Sequence, residues 1–206
     1  MSPILSSLLI SLIFQLPISM PSRMNIKRLA LVNAISFVIH LLTSFLVQFR
    51  ALNDLMVGEV SDKYPSVFTP AGVTFSIWGL IYISLTACSI YHLYIAYKKP
   101  EDHPGNIDLR RIGNLFIANN LATTLWLIVW THELLILSVL LICIQLLTLI
   151  AINIRLNIHD AKRRAASKFF TQFPLSIYFG WISIATIANI SVCLAAYEWS
   201  GWGISP

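Results

Sequence analysis

Asn119, Thr123, Trp126 and Trp130 follow one another at intervals of four, three and four, which sets all four on one face of a helix. Tyr178, Trp181, Ala185 and Asn189 repeat the pattern at three, four and four, and Thr74, Trp78 and Tyr82 step by four. Each stripe mixes indole or phenol rings with a hydrogen-bonding group. Such rings stack on flat apolar molecules while an amide orients a polar edge, so the chemistry on offer is recognition rather than bond making. Asn and Thr also serve a plainer purpose, bonding across packed helices, and Trp and Tyr anchor chains at a membrane surface. Trp130, near the end of its apolar run, reads as such an anchor, as do Trp199 and Trp202.

The remaining reactive side chains point away from catalysis. His40 and His92 lie deep in apolar runs and read as neutral, hydrogen-bonded residues, with no second metal ligand expected three or four positions away; His103, His132 and His159 fall in loops. Cys88, Cys143 and Cys193 sit far apart inside apolar runs and read as packing residues, which implies neither zinc nor a disulfide framework. No nucleophile motif, phosphate loop or carboxylate pair occurs. All nine acidic residues stand outside the apolar runs, whereas proton-coupled transporters bury one. The sequence therefore predicts no metal, no firmly required cofactor and no enzyme.

The elements that must hold these stripes follow from composition. Of 206 residues, 57% are hydrophobic and 11% charged, too little charge to cover a soluble surface. Five runs free of Lys, Arg, Asp and Glu reach the roughly 20 residues that a helix needs to cross hydrocarbon. They are Leu29–Phe49, Ala71–Tyr97, Ile112–Thr131, Leu134–Ile154 and Phe169–Ala196. Unbroken runs of this length exclude the alternating strands of a β-barrel, and helices satisfy their own backbone in lipid. The fold class is all-α, an integral membrane five-helix bundle, within a single domain over residues 24–198. Apolar residues 4–19, interrupted by Pro17, allow an extra short N-terminal helix. Residues 1–23 are expected to pack poorly or to precede the working start at Met24, and 199–206 to form an exposed tail.

Twelve of the fourteen basic residues fall before the first run, between the second and third, or between the fourth and fifth. Those three regions alternate onto one side. The positive-inside rule makes loops 98–111 and 155–168 cytoplasmic, and puts loop 51–70 and the C-terminus outside. The net charge of +5 then serves anionic lipid rather than nucleic acid, and the bilayer is the first partner.

Loop 51–70 ends in Ser66-Val-Phe-Thr-Pro-Ala-Gly72. Pro70 keeps Thr69 out of the helix and suits the first turn that follows, so the loop folds onto the mouth of the bundle. From Phe68 through Pro70 and Trp78 to Tyr82 the sequence resembles the second-helix signature of the TspO/MBR family of tryptophan-rich sensory or translocator proteins. Asn119, Thr123 and Trp126 are similar to that family's third-helix face, and Tyr178, Trp181, Ala185-Thr186 and Asn189 to its fifth. The resemblance implies a five-helix bundle, a homodimer, and an apolar cavity under the first loop that takes a hydrophobic small molecule: a porphyrin, haem or a sterol-like ligand. Carried onto this chain, it implies a site lined by Trp78, Tyr82, Asn119, Trp126, Tyr178, Trp181 and Asn189, with Thr123 on the same face and Phe68 and Pro70 at the lid. Ala71 stands where the family usually has a second proline, Val73 where many members have Trp, and the first loop carries no Trp. Light-dependent tetrapyrrole chemistry that uses a loop tryptophan is thus not expected. The competing expectation is a small membrane accessory subunit whose stripes serve only helix contacts. A carrier of polar solutes is disfavoured, since neither broken helices nor repeat symmetry is evident.

Overall fold

A computed structural model describes residues 24–66, 68–157 and 164–199. The N-terminal extension, the 199–206 tail beyond Trp199, and His159 lie outside the described residues. Seven helices are labelled here: α1 (Ile26–Gln48), α2 (Val57–Lys63), α3 (Ile77–Lys98), α4 (Pro104–Ile112), α5 (Leu115–Thr131), α6 (Leu135–Leu156) and α7 (Phe173–Ala196). No strand occurs among the described residues.

Local sequence explains where each begins and ends. The Asn25 side chain accepts the Lys27 N–H at 2.9 Å and caps α1. At α4, His103 caps the Gly105 N–H and Pro104 occupies the first turn. Asn157, in the left-handed region at φ 49°, ends α6. The second run does not enter its helix directly. Gly72–Ser76 form a 3-10 turn before α3, as the Pro70 restriction and Gly72 propensity together favour. A π-helical turn over Lys168–Gln172 leads into α7, so the helix proper starts four residues later than the apolar run.

The largest departure from expectation is a break. The helix predicted over 112–131 starts only at Leu115; Gly113 parts it from α4, and the two helices meet at 51°. Gly113 adopts φ 56°, ψ −143°, a conformation closed to residues with a Cβ. Four helical stretches are long and apolar enough to cross a membrane, and the bent α4–α5 pair taken together supplies a fifth. The predicted run over 112–131 thus corresponds to α5, and α4 falls almost wholly in the 98–111 loop.

Neighbour relations close a ring in the order α1, α3, α7, α6, α5, with α2 lying on α5 at one end. At the opposite end, which carries Arg110, Arg111, Arg155 and Arg164, α4 touches α1, α3 and α6. Ser167 donates to the buried Asp108 carboxylate and ties α4 to the approach to α7. Large apolar side chains such as Ile35, Leu42, Ile83, Leu140, Leu147 and Ile184 point outward and are exposed. Buried polar residues instead fill the interior: Asn33, Ser36 and His40 on α1, Asn119, Asn120 and Thr123 on α5, Ser138 and Gln145 on α6, Asn189 on α7. Hydrocarbon reverses the usual soluble pattern, because polar groups are costly outside and must find partners inside.

Candidate binding site

Two hollows lie side by side beneath α2. The larger, about 340 Å³, opens between α1 and α2; its lining includes Ser44, Gln48, Met56, Gly58, Glu59, Asp62, Trp78 and Tyr82. The smaller, about 50 Å³, lies between α2, α5 and α7; it holds Pro70, Thr74, Trp126, Trp130, Trp181, Ala185, Ala188 and Asn189. Val57, Phe75 and Trp78 belong to both. Phe75 and Trp78 are thus the partition between them.

The ring geometry follows from helical spacing. Trp78 and Tyr82, one turn apart on α3, stack at 5.3 Å and 26°. Trp126 and Trp130, one turn apart on α5, stack at 5.5 Å and 17°. Trp181 meets Trp78 edge-on at 5.9 Å and Phe75 at 6.2 Å. Of the three indoles that line the smaller hollow from α5 and α7, two are committed. Trp126 Nε1 donates to Asn189 Oδ1 at 2.8 Å, and Trp130 Nε1 to the Val57 carbonyl at 3.0 Å. Trp181 Nε1 is buried and has no hydrogen-bond partner among the described residues. An unpaired donor in an apolar wall favours a guest that brings an acceptor.

The lid is held by charge. Arg50 reaches Glu59 at 2.5 Å, and Glu59 also accepts the Met56 N–H at 2.8 Å. That backbone bond, with Arg50 second, holds the Glu59 carboxyl below its usual range. Lys63 bonds both oxygens of Glu133 at 2.6 and 2.7 Å, and Tyr64 donates to the same carboxylate at 2.5 Å. The hydrogen bonds from Lys63, and then from Tyr64, lower Glu133, while Glu133 raises Lys63. Asn53 donates to the Thr131 carbonyl. The α2 segment is therefore pinned to the α5–α6 turn from several points.

The sequence-predicted residues divide into two groups. Pro70, Trp78, Tyr82, Trp126, Trp181 and Asn189 line one hollow or the other. Asn119, Thr123 and Tyr178 line neither, because their polar atoms face neighbouring helices. Asn119 Nδ2 donates to the Gln145 carbonyl at 3.0 Å and to Thr148 Oγ1 at 2.8 Å. Thr123 Oγ1 meets Tyr178 OH at 2.8 Å and Gln145 Oε1 at 3.0 Å. Phe68 is 58% exposed and lines neither hollow. Asn189 does border the smaller one, but its amide is taken by Trp126 and by Ser138 Oγ at 2.9 Å, which leaves it little capacity to orient a guest.

Trp130 corrects the anchor assignment: it is 3% exposed and faces the smaller hollow rather than the surface. Trp199, half exposed, is compatible with anchoring. Against the expectation of no second ligand three or four positions away, Cys88 stands one turn before His92, with Sγ 3.8 Å from Nδ1. No group of three metal-ligating side chains occurs among the described residues. The sequence also missed the polar row of α1, Asn33, Ser36, His40 and Ser44, although its intervals of three, four and four carried the same signal as the other stripes.

A family model described as TSPO-like protein matches residues 30–206. No curated protein matches the chain. No solved structure matches it either. The family match takes in α1 from residue 30 onward, all the later helices and the whole of the two-hollow site, and with the apolar spans it makes the chain a membrane protein that belongs to the TSPO-like family.

Proposed function

We propose that this protein binds a flat hydrophobic ligand, of the porphyrin or sterol-like class, in the paired hollows under α2, and so acts in sensing or translocation rather than in chemistry. The observation that carries the reading is Trp181: a buried indole in a wall of aromatic rings whose N–H has no partner among the described residues. A planar guest would lie against Trp78 and Trp181 and give one acceptor to that N–H, with α2 as its cover. The family resemblance supports the ligand class, and the alternation of basic loops supports an orientation with α2 on the extracytoplasmic side.

Titration of a soluble porphyrin into the purified protein in detergent should quench tryptophan fluorescence saturably. Trp181→Phe keeps a ring but loses the donor, worth about 1 kcal/mol, so affinity should fall roughly fivefold. Trp78→Phe removes stacking area and should weaken binding further. Saturable quenching with unchanged affinity in both variants would overturn the site; absence of quenching by porphyrins and sterol analogues alike would overturn the ligand class.

A further inference from the structure

From the larger hollow, a series of hydrogen bonds follows α1 toward the basic end of the bundle. Ser44 Oγ meets Tyr82 OH at 2.7 Å. One turn on, His40, fully buried, directs Nδ1 to Asn120 Oδ1 at 3.1 Å. Asn120 Nδ2 donates to Ser36 Oγ at 3.1 Å, and Ser36 passes its own hydrogen to the Asn33 carbonyl at 2.8 Å. There the protein's own partners stop. The Asn33 side chain is 5% exposed, and neither Nδ2 nor Oδ1 has a partner among the described residues. It borders a small cavity of about 10 Å³. Ser89 lines the same cavity and its Oγ is likewise unpartnered among the described residues. His92 lines it too, and its Nε2 meets Thr171 Oγ1 at 3.1 Å.

Unpaired amide and hydroxyl groups within hydrocarbon are costly, by roughly 1–3 kcal/mol each in proteins. Three polar residues from two helices converging on one small space offer donors and acceptors together. A cavity must provide about 10–15 Å³ and two to four polar partners to hold a water molecule. This one meets both conditions and is too small for a larger guest. We propose that the Asn33–Ser89–His92 cavity is a binding site for one water molecule. Held there, the water satisfies Asn33 and Ser89 and lies between the His40–Asn120–Ser36 network and the His92–Thr171 pair. The site owes nothing to the proposed ligand and stands whether or not that ligand binds.

X-ray radiolytic footprinting of the full-length protein in nanodiscs, in H₂¹⁸O, reads this directly, since a bound water yields hydroxyl radical beside its neighbours. Cys88 and His92 are 3% and 6% exposed, so bulk solvent should scarcely modify them. The expected result is ¹⁸O incorporation at both that, once corrected for intrinsic side-chain reactivity, is at least about fivefold faster than at the buried Ile142 and Leu149. Filling the cavity with Asn33→Leu, or removing a single ligand with Ser89→Ala, should cut labelling of Cys88 severalfold and leave Cys143 and Cys193 unchanged. Wild-type protein in which Cys88 and His92 resist labelling would overturn the proposal, whatever the variants do. Labelling that is equal in wild type and Ser89→Ala would overturn it as well.

Discussion

Asn119 and Trp181 present opposite cases of a polar group in an apolar interior. The Asn119 amide is spent between α5 and α6 on Gln145 and Thr148, whereas the Trp181 N–H is held in reserve. Asn119→Leu should therefore lower stability by about 1 kcal/mol, the usual scale for an interhelical bond in lipid, and leave porphyrin affinity unaltered. Thermal unfolding followed beside fluorescence titration separates the two effects. Helical spacing revealed which faces these residues share, yet not which neighbour each face meets. Asn119, Thr123 and Trp126 lie on one face, and only Trp126 reaches a hollow, because Gln145 on α6 captures the other two. That capture depends on a residue some twenty positions downstream, which periodicity within one run does not register.

The elements carry two further expectations. Gly113 divides α4 from α5 with backbone angles that a Cβ resists, and a Cβ there would lie 3.3 Å from the Arg110 carbonyl oxygen. Gly113→Ala should cost about 1–3 kcal/mol, seen as a lower unfolding temperature. The break escaped the sequence reading because a glycine inside an apolar run looks like tolerated packing until its dihedral angles are known. The seven-residue helix α2 escaped for another reason: it is too short to show a period. Its charge clamp nevertheless makes a definite pH dependence. Glu133 is lowered on folding, so its contribution is full above the ordinary carboxylate range and is lost as pH falls through the depressed value. Lys63 is raised, so its share holds below the ordinary lysine range and is lost only as pH climbs through the elevated one. Hydrogen exchange at residues 57–63 should stay slow across neutral pH and quicken in strong acid, once intrinsic rates are corrected for. Glu133→Gln should quicken it at neutral pH, since the exposed ion pair is replaced by weaker bonds.

At the scale of the molecule, length and charge in five apolar runs were enough to foresee a helical bundle with a lid at one end. The order in which the helices close, α1, α3, α7, α6, α5, was not legible, as a polar stripe marks the inner face of a run without naming the helix it meets. Buried polar groups supply that information only in pairs: His40 with Asn120, Asn189 with Ser138, His92 with Thr171. The partition formed by Phe75 has a consequence for kinetics. Its ring belongs to both hollows, stands on a 3-10 turn instead of an α-helix, and faces the bare backbone of Gly58 on one side, where a Cβ would sit 3.6 Å away. Small guests should occupy one chamber at once, while a tetrapyrrole-sized one must wait for that phenyl to swing and fuse the two. Stopped-flow association should then level off at high concentration for bulky guests alone, and Phe75→Ala should abolish the plateau.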